Sequence, residues 1–238
     1  MSEQAQLVLA SKSPARYTTL RNAGVNPLVV VSTVDEDAVA AALPPDASPA
    51  RLVCALAEAK ALSVAHRLVR AWEQPGIDPD ASSVTADLTG APSARQYLVL
   101  GCDSMLEINR RMVGKPHTAE VARQRIQDMR GTDATLWTGH SLVVVEHTDR
   151  WSVGKVDTRA ASTIVHFGDI SDEEIEAYVR TGEPLNVAGS FTIDGFGGPF
   201  VRGVTGDPHS VVGVSLPLLR DLVKQAGVFW PDLWETQA

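Results

Sequence analysis

Short apolar runs alternate with amphipathic segments in the first third of the chain, a pattern that predicts strands followed by helices. Residues 7–10 are apolar and typical of a buried strand, and Ser13 and Pro14 then supply an N-cap and a first helical residue. Gly24 is a suitable end for this helix. The β-branched stretch PLVVVSTV predicts a second strand. A long helix is expected over about residues 48–70.

Strand patterns lie closer together in the middle of the chain. YLVLGC predicts a strand that ends at Asp103, and MLEINRRMVG predicts a hairpin after it. A helix is expected over residues 118–130, because Ala122, Ile126 and Met129 share one face. HSLVVVEHTDRWSV and RAASTIVHF predict further strands, the first with a turn at its His-Thr-Asp sequence.

The clearest helix lies in ISDEEIEAYVRTGEP, where Ser171 and Glu174 are placed to form a capping box. The Gly-rich stretch FTIDGFGGPFVRGVTGD is expected to be irregular, and a last helix follows Pro217. Because helices and strands alternate early and strands cluster later, we expect an α/β fold with a mixed sheet. Residues 72–96 are rich in Pro, Gly, Ser and Asp, which predicts a surface insertion.

Composition and charge narrow the classes of function. The 238 residues carry a net charge of −8, which argues against a binding surface for nucleic acid or anionic membrane. A polyanionic ligand would therefore need a local cluster of basic residues. Cys54 and Cys102 have no metal-binding spacing and predict buried thiols in a reducing compartment. With no signal-peptide pattern and no apolar run of about 20 residues, we expect a cytoplasmic enzyme or binding protein.

The first predicted helix has an unusual N-terminus. Lys12 and Arg16 lie close to it, together with Ser11 and Ser13, although the free N–H groups at a helix start favour negative charge. A bound anion would remove this conflict, because a strand, a short polar loop and a helix N-terminus form many phosphate sites. The alternative is a pair of solvent-facing cations at an ordinary cap, which costs little energy.

Three further residues could carry chemistry. Lys60 interrupts the apolar stripe of the long helix, either as an amine directed into a cleft or as a side chain that snorkels to solvent. Asp103 at a strand end could bind a metal, accept a proton or cap a turn. The predicted hairpin would return Lys115 to the neighbourhood of Asp103. The six histidines show no metal-ligand spacing.

Eight motifs in order along the chain resemble the Maf family of nucleoside triphosphate pyrophosphatases: LASKSPAR, VDED, AEAKA, LGCDSML, GKPHTAEVAR, WTGHSL, VHFGDISDEEIEAYVRTGEPLNVAGSF and VVGVSLPL. The resemblance covers nearly the whole chain, except the insertion at about 72–96 and a C-terminal tail at about 228–238. It implies a single Maf/ITPase-like α/β domain, in which helices flank a mixed sheet and two lobes enclose a central cleft.

The same resemblance implies an activity and partners. Family members usually form homodimers, and they cleave a nucleoside triphosphate to the monophosphate and pyrophosphate with a divalent cation such as Mg²⁺, Mn²⁺ or Co²⁺. The family is also associated with septum formation and the arrest of cell division. By this resemblance the phosphates of the substrate would be the anion at the first helix.

The resemblance also implies roles position by position. Asp103 matches the family's proposed proton acceptor, and Glu36 matches an acidic position after the second strand. Arg16 matches the basic residue of the family's phosphate loop, while Lys60 and Lys115 match its two essential lysines. Glu36 and Asp103 are the candidate metal ligands, and the sequence leaves open whether Asp103 is a ligand or the base.

Departures from the family pattern concern the choice of substrate. Ala15 stands where most members have Arg, and Ser104 and Asp194 stand where pyrimidine-selective members have Thr and Gln. A buried carboxylate at Asp194 would favour a donor edge on the base, such as that of guanine. The usual Asp-Lys pair is lost at residues 186–187. That loss, with Ala15, is also compatible with an alternative function, a nucleotide-sensing regulator of cell division that binds a triphosphate without turnover.

Overall fold

The computed structural model describes residues 5–74 and 92–235, which form an α/β fold around a seven-stranded mixed sheet. The strands are β1 (Gln6–Leu9), β2 (Leu28–Val29), β3 (Gln96–Ile108), β4 (Arg111–Val113), β5 (Asp133–His147), β6 (Trp151–Phe167) and β7 (Val201–Thr205). The helices are α1 (Pro14–Asn22), α2 (Glu36–Ala41), α3 (Pro49–Glu73), α4 (Ala119–Met129), α5 (Asp172–Arg180), α6 (Pro208–Val212) and α7 (Leu216–Gln225).

The sheet joins a parallel part to an antiparallel part. Its strand order is β2-β1-β3-β5-β6-β7, and β4 pairs with β3 outside this path. β1 runs parallel to β2 and β3, whereas β5 runs antiparallel to β3 and β6. The mixed sheet predicted from the sequence is therefore confirmed.

Local sequence signals placed the starts of four helices, α1, α3, α4 and α5, correctly. Ser13, Ser48, Thr118 and Ser171 are N-caps whose hydroxyl oxygens accept a hydrogen bond from a backbone N–H group three residues later. The predicted capping box of α5 is present in both directions. Gly24 adopts a φ of +83° directly after α1, which is why a residue without a Cβ suits this position.

Strand lengths were predicted less well. β2 has only two residues, and the strand that was expected to end at Asp103 continues to Ile108. The physical reason is pairing, because β5 forms an antiparallel ladder with β3 far beyond the end of β1. The short helices α2 and α6 were not predicted, and β7 lies within the Gly-rich stretch that was expected to be irregular.

The hydrophobic core is divided along the length of the long strands. Two clusters cover the two faces at the β1 end of the sheet, one against α3 and one against α7. A third cluster packs α4 and α5 against the far ends of β3, β5 and β6. On β3, Cys102 packs in the cluster against α7 at the β1 end of the sheet, and Leu106 packs in the third cluster. Asp103 and Ser104 therefore lie between core regions, where polar side chains can be accommodated.

The two segments outside the family resemblance are partly described. α3 continues through Glu73 and Ala94 is 3% exposed, so both described ends of the predicted insertion belong to the folded body. Residues 75–91 lie outside the described residues. In the C-terminal tail, Leu233 is buried, and the backbone N–H of Glu235 donates to the Gly24 carbonyl oxygen at 2.8 Å. Among the described helices, none has both the length and the apolar character needed to cross a membrane.

Candidate active site

The residues of the predicted phosphate loop meet at the end of β1. Arg16 lies in the first turn of α1, and its Nε donates a hydrogen bond to the Gly213 carbonyl oxygen at 2.8 Å. Its terminal nitrogens donate to Ser11 Oγ and to Ser104 Oγ, each at 3.1 Å. All three acceptors are neutral. The guanidinium is therefore held in one orientation while its charge remains uncompensated by these partners.

Lys60 points from α3 toward two carboxylates. Its Nζ is 2.6 Å from Oδ1 of Asp103 and 2.9 Å from Oε1 of Glu36. Lys60 is 8% exposed and Asp103 is 6% exposed, whereas Glu36 stands open to solvent at the start of α2. The alternative of a snorkelling lysine is therefore wrong, because the amine is buried against these carboxylates.

The environment of Asp103 raises the pKa of its carboxyl group above the ordinary value. Burial is the largest cause, and the negative charge of Glu36 acts in the same direction. The positive charges of Lys60 and Arg16 oppose both but do not cancel them. A raised pKa brings a carboxylate closer to the range in which a general base works best at neutral pH.

Lys115 interacts electrostatically with two other basic residues of the site, Lys12 and Arg16. Lys115 follows the β3–β4 hairpin and is largely exposed, yet its pKa is lowered by the partial burial of the side chain and by the charges of Lys12 and Arg16. Glu36 opposes this shift only in part. Within residues 5–74 and 92–235, Lys12, Arg16 and Lys115 make no ion pair. Such a cluster of unpaired cations is suited to a polyanion.

β5 contributes buried polar residues that sequence reasoning missed. Thr138 lies opposite Ser104 in the ladder, and the two hydroxyl oxygens are 3.0 Å apart. His140 lies opposite Cys102, and its Nε2 accepts a hydrogen bond from the backbone N–H of Ser215 at 2.7 Å. Thr138 and His140 are both fully buried and hydrogen-bonded to other elements, and these contacts could not be seen from the periodicity of the strand. Only the motif WTGHSL marked this stretch.

Burial changes the titration of two groups around this centre. It raises the pKa of the Cys102 thiol to about 11 and lowers the pKa of His140 to about 4. Arg16 adds to the second shift, since its positive charge disfavours a charged imidazole.

Both cysteines are free; Cys102 is buried as predicted, whereas Cys54 is only half-buried.

Glu183 organises the Gly-rich segment, and it was not identified from the sequence. Its Oε1 accepts hydrogen bonds from Tyr178 Oη, Thr192 Oγ1 and the backbone N–H of Gly197 at 3.0, 2.5 and 3.1 Å. Its Oε2 accepts from the backbone N–H of Phe196 at 3.0 Å. Burial acts to raise the pKa of Glu183, but these donors outweigh it and leave the pKa below its ordinary value.

Two of the three candidate specificity positions adjoin Arg16, and the third belongs to the Gly-rich segment. Ala15 precedes Arg16 in α1, and Ser104 contacts it directly. Asp194 is exposed. The expectation of a buried carboxylate at position 194 is therefore wrong, because Glu183 rather than Asp194 holds the backbone of this segment.

The carboxylates of the site suit a divalent cation that is held jointly by the protein and the substrate phosphates. In the part of the chain that the structure describes, there is no cluster of three or more His, Cys, Asp or Glu side chains of the sort that cages a metal. Glu36 and Asp103 nevertheless present carboxylate oxygens around a single ammonium group. Mg²⁺ is typically held by one or two carboxylates together with substrate phosphates, so these two residues fit that mode.

Comparisons with known proteins identify the family of the chain. The family model described as Maf-like protein matches residues 6–226. A Rhodococcus erythropolis protein named nucleoside triphosphate pyrophosphatase is 46% identical over 233 residues, which is 98% of each chain. Proteins of the same name from Nocardia farcinica and Mycobacterium ulcerans are 47% and 48% identical, covering 98% and 96% of each chain. With a family match that spans every candidate residue and relatives that are similar along their whole length, the chain belongs to the Maf family.

Proposed function

We propose that this protein is a nucleoside triphosphate pyrophosphatase, which hydrolyses a nucleoside or deoxynucleoside triphosphate to the monophosphate and pyrophosphate. The observation that carries the proposal is the cluster of Lys12, Arg16 and Lys115, which is unpaired within the described residues and lies next to the buried pair of Lys60 and Asp103. The names of the relatives support the same activity.

The charge of the substrate explains why this cluster is needed. A nucleoside triphosphate carries about four negative charges, and two unit charges 4 Å apart interact by roughly 4 kcal/mol near a protein surface. A protein with a net charge of −8 offers no general attraction for such a ligand. Ser11, Lys12, Ser13 and Arg16 at the N-terminus of α1 would bind the phosphates, and Lys115 would neutralise the leaving pyrophosphate.

Asp103 is the proposed proton acceptor. The oxygen of a water molecule attacks the α-phosphorus while a proton passes to a carboxylate oxygen of Asp103. The bond between the α-phosphorus and the bridging oxygen breaks, and pyrophosphate leaves with that electron pair. Lys60, which holds Oδ1 of Asp103 at 2.6 Å, keeps the carboxylate oriented and counters its negative charge near the phosphates.

Glu36 and Asp103 are the residues that would hold a divalent cation such as Mg²⁺, Mn²⁺ or Co²⁺. When bound, the cation would neutralise part of the phosphate charge. A tight bidentate interaction with the cation would compete with the role of Asp103 as a base, so Glu36 is proposed as the principal ligand.

A product analysis tests the proposed activity. The purified protein is incubated with a panel of nucleoside triphosphates and each of the three cations, and the products are separated. Monophosphate and pyrophosphate are expected in equal amounts. Diphosphate and inorganic phosphate would instead indicate a different phosphatase. Tight binding without products would favour the alternative function, a nucleotide-sensing regulator of septum formation.

The variant Asp103→Asn separates the two roles of the carboxylate. Asn keeps the shape of the side chain but cannot accept the proton, and loss of a general base typically reduces kcat by about 10² to 10⁴. The measurement is kcat across a metal titration, with Asp157→Asn as a control at a partly exposed aspartate paired with Arg159. A loss that persists at saturating metal supports the base, and a loss that excess metal restores supports ligation. An unchanged kcat would remove Asp103 from the chemistry.

Substrate choice is proposed to differ from that of pyrimidine-selective relatives, since Ala15, Ser104 and Asp194 replace their residues. The exposed carboxylate of Asp194 is available to a base with N–H donors, such as guanine. The test compares kcat/KM for dTTP, UTP, GTP and 7-methyl-GTP. A preference for both pyrimidines by a factor of about 100 would contradict the proposal.

The family resemblance also suggests a homodimer and a cell-division partner. Neither is needed for the site, since every proposed residue comes from one chain. Light scattering with and without nucleotide would establish the assembly state. A partner is expected only if the product analysis shows binding without turnover.

A further inference from the structure

A chain of hydrogen bonds runs from the guanidinium of Arg16 into the sheet. The terminal nitrogen of Arg16 is 3.1 Å from Ser104 Oγ, which is 3.0 Å from Thr138 Oγ1. Thr138 Oγ1 in turn donates to the Ser210 carbonyl oxygen at 2.9 Å. These hydrogen bonds therefore connect α1, β3 and β5 with the first turn of α6.

The direction of each hydrogen bond is determined by the two ends of the chain. A guanidinium can only donate and a carbonyl oxygen can only accept. The single hydroxyl proton of Thr138 is used toward Ser210, so Thr138 must accept from Ser104. Ser104 consequently accepts from Arg16 and donates to Thr138. Each hydroxyl has one orientation that satisfies both of its neighbours.

Of the two hydroxyl side chains in this series of hydrogen bonds, Thr138 is the more deeply buried. It is fully buried, with 0% of its surface exposed, and its own carbonyl oxygen is 3.1 Å from Nδ1 of His140. Since Nε2 of His140 accepts from the backbone of Ser215, Nδ1 must carry the proton that is donated to Thr138. The hydroxyl and the carbonyl oxygen of Thr138 are thus each bonded to a buried residue, Ser210 and His140 respectively.

The same segment of chain reaches Arg16 a second time. Gly213, which follows α6, accepts the hydrogen bond from Nε of Arg16. Ser210, at the other end of this path, lies within α6 and is also fully buried. The guanidinium is therefore oriented from two sides by one short stretch of backbone, once directly and once through Ser104 and Thr138.

We infer that Thr138 is a positioning residue for Arg16, acting through Ser104 to orient the guanidinium toward a phosphate of the substrate. Thr138 touches neither substrate nor reacting atoms, and its effect is exerted only through the donor geometry of Arg16. The inference rests on the proposed function in one respect, namely that the anion bound at Arg16 is a phosphate. Oriented donors matter because a guanidinium binds an oxyanion best when two of its N–H groups are directed at it.

The variant Thr138→Val tests this inference, and Thr163→Val is its matched control. Both substitutions keep the shape of a buried side chain and remove one hydroxyl. Thr163 is 1% exposed and donates to the Asp207 carbonyl oxygen at 2.9 Å, so it supports the same segment without contact to Arg16. The two variants are expected to lose similar stability, measured as Tm.

Binding separates the two variants. Titration calorimetry with inorganic pyrophosphate is expected to show a Kd about tenfold higher for Thr138→Val and unchanged for Thr163→Val, because only the first disturbs a charge-assisted hydrogen bond to the anion site. KM for the nucleotide should rise in parallel, and kcat should change much less. Thr138→Ser restores the hydroxyl and should restore both values. Ser104→Ala should weaken pyrophosphate binding as much as Thr138→Val does. The double variant should show no larger loss than either single variant, because both substitutions interrupt the same chain of hydrogen bonds.

Several outcomes would overturn the inference. Equal weakening of pyrophosphate binding by Thr138→Val and Thr163→Val would mean that both act only on stability. Failure of Thr138→Ser to restore binding, or additive losses in the double variant, would mean that no shared chain exists. If Thr138→Val does not fold, normal pyrophosphate binding by Ser104→Ala would by itself contradict the inference. Absence of nucleotide hydrolysis by the wild-type protein would defeat the proposed function but leave the binding comparison intact.

Discussion

At the scale of single residues, the buried amine of Lys60 is expected to be needed for activity. Lys60→Met keeps the length of the side chain and its helix propensity but removes the charge. Asp103 is then left without its closest cation, which raises its pKa further and costs about 3–5 kcal/mol while the carboxylate stays ionised. We expect loss of turnover at pH 7, and a shift of the acidic limb of the pH–rate profile to higher pH.

Two controls accompany the Lys60 variant. Lys155→Met removes an exposed lysine whose amine contacts the Gln225 carbonyl oxygen, and it should leave both turnover and stability unchanged. The double variant with Asp103→Asn removes both charges and should regain much of the lost stability, measured by urea unfolding, while remaining inactive. Near-normal turnover of Lys60→Met would show that Lys60 has only a structural role.

His140 is expected to make stability depend on pH in a defined window. Its pKa is about 4 in the folded protein because of burial and the charge of Arg16, against an ordinary value of 6.5 in the unfolded chain. Between these values the unfolded chain binds more protons, so the free energy of unfolding falls as pH drops from 6.5 to about 4. The full effect is about 3 kcal/mol, and none of it is lost above pH 6.5.

The variant His140→Gln checks this dependence. Its amide oxygen can still accept the hydrogen bond from Ser215, but it does not titrate. The free energy of unfolding, measured from pH 7 to pH 4, should fall less steeply than in the wild type. His117→Gln, at an exposed position, should keep the wild-type slope. Equal slopes in all three proteins would show that His140 does not titrate differently on unfolding.

At the scale of structural elements, Glu183 is expected to maintain the shape of the Gly-rich segment. Its carboxylate accepts hydrogen bonds from Tyr178 of α5 and from three residues that flank Asp194 in the chain, Thr192, Phe196 and Gly197. In Glu183→Gln one carboxylate oxygen becomes an NH₂ group, which faces the backbone N–H of either Phe196 or Gly197 and cannot accept from it. We expect kcat/KM for the preferred nucleotide to fall roughly tenfold, while the Kd of inorganic pyrophosphate stays unchanged.

The matched control for Glu183 is Glu173→Gln, an exposed glutamate in α5. It should match the wild type in both measurements. An equal loss of pyrophosphate binding in Glu183→Gln would indicate that the whole site has been disturbed, and not only the segment that carries Asp194.

At the scale of the whole molecule, the C-terminal segment packs against the core and against the end of α1. Leu233 packs into the core cluster beside α7, and Glu235 is paired with Arg21 at 2.5 Å and accepts from Asn26 at 3.1 Å. The last described residues of the chain thus pack against the end of α1 and the turn that follows it. We expect Leu233→Ala to lower the free energy of unfolding by about 2–3 kcal/mol, measured with urea, because it empties a buried position.

Glu235→Gln is the comparison for the Leu233 variant. Its ion pair with Arg21 is exposed, so its loss should cost less than about 1 kcal/mol. Turnover of the folded fraction should be normal in both variants. A larger loss of stability from Glu235→Gln than from Leu233→Ala would show that polar contacts, not burial, hold the C-terminal segment.

The sequence by itself determined the features that depend on neighbouring residues. The N-caps at Ser13, Ser48, Thr118 and Ser171 were predictable because a cap bonds to a backbone group three residues away. The mixed α/β class followed from the order of strand and helix patterns, and the family followed from motifs in order. The unpaired cations at α1 were likewise visible as residues whose charge conflicts with a helix N-terminus.

Only the tertiary structure decided what depends on residues far apart in the chain. The length of β3 beyond Asp103 is set by its pairing with β5, which no local pattern of β3 encodes. Whether Lys60 met water or carboxylates depended on how α3 packs on the sheet. The hydroxyl of Thr138 is hydrogen-bonded to Ser104 and Ser210 on other elements, so its side chain carries no local signal of these contacts. The physical reason is the same in each case: a hydrogen bond or ion pair between distant segments exists only once the core has brought them together.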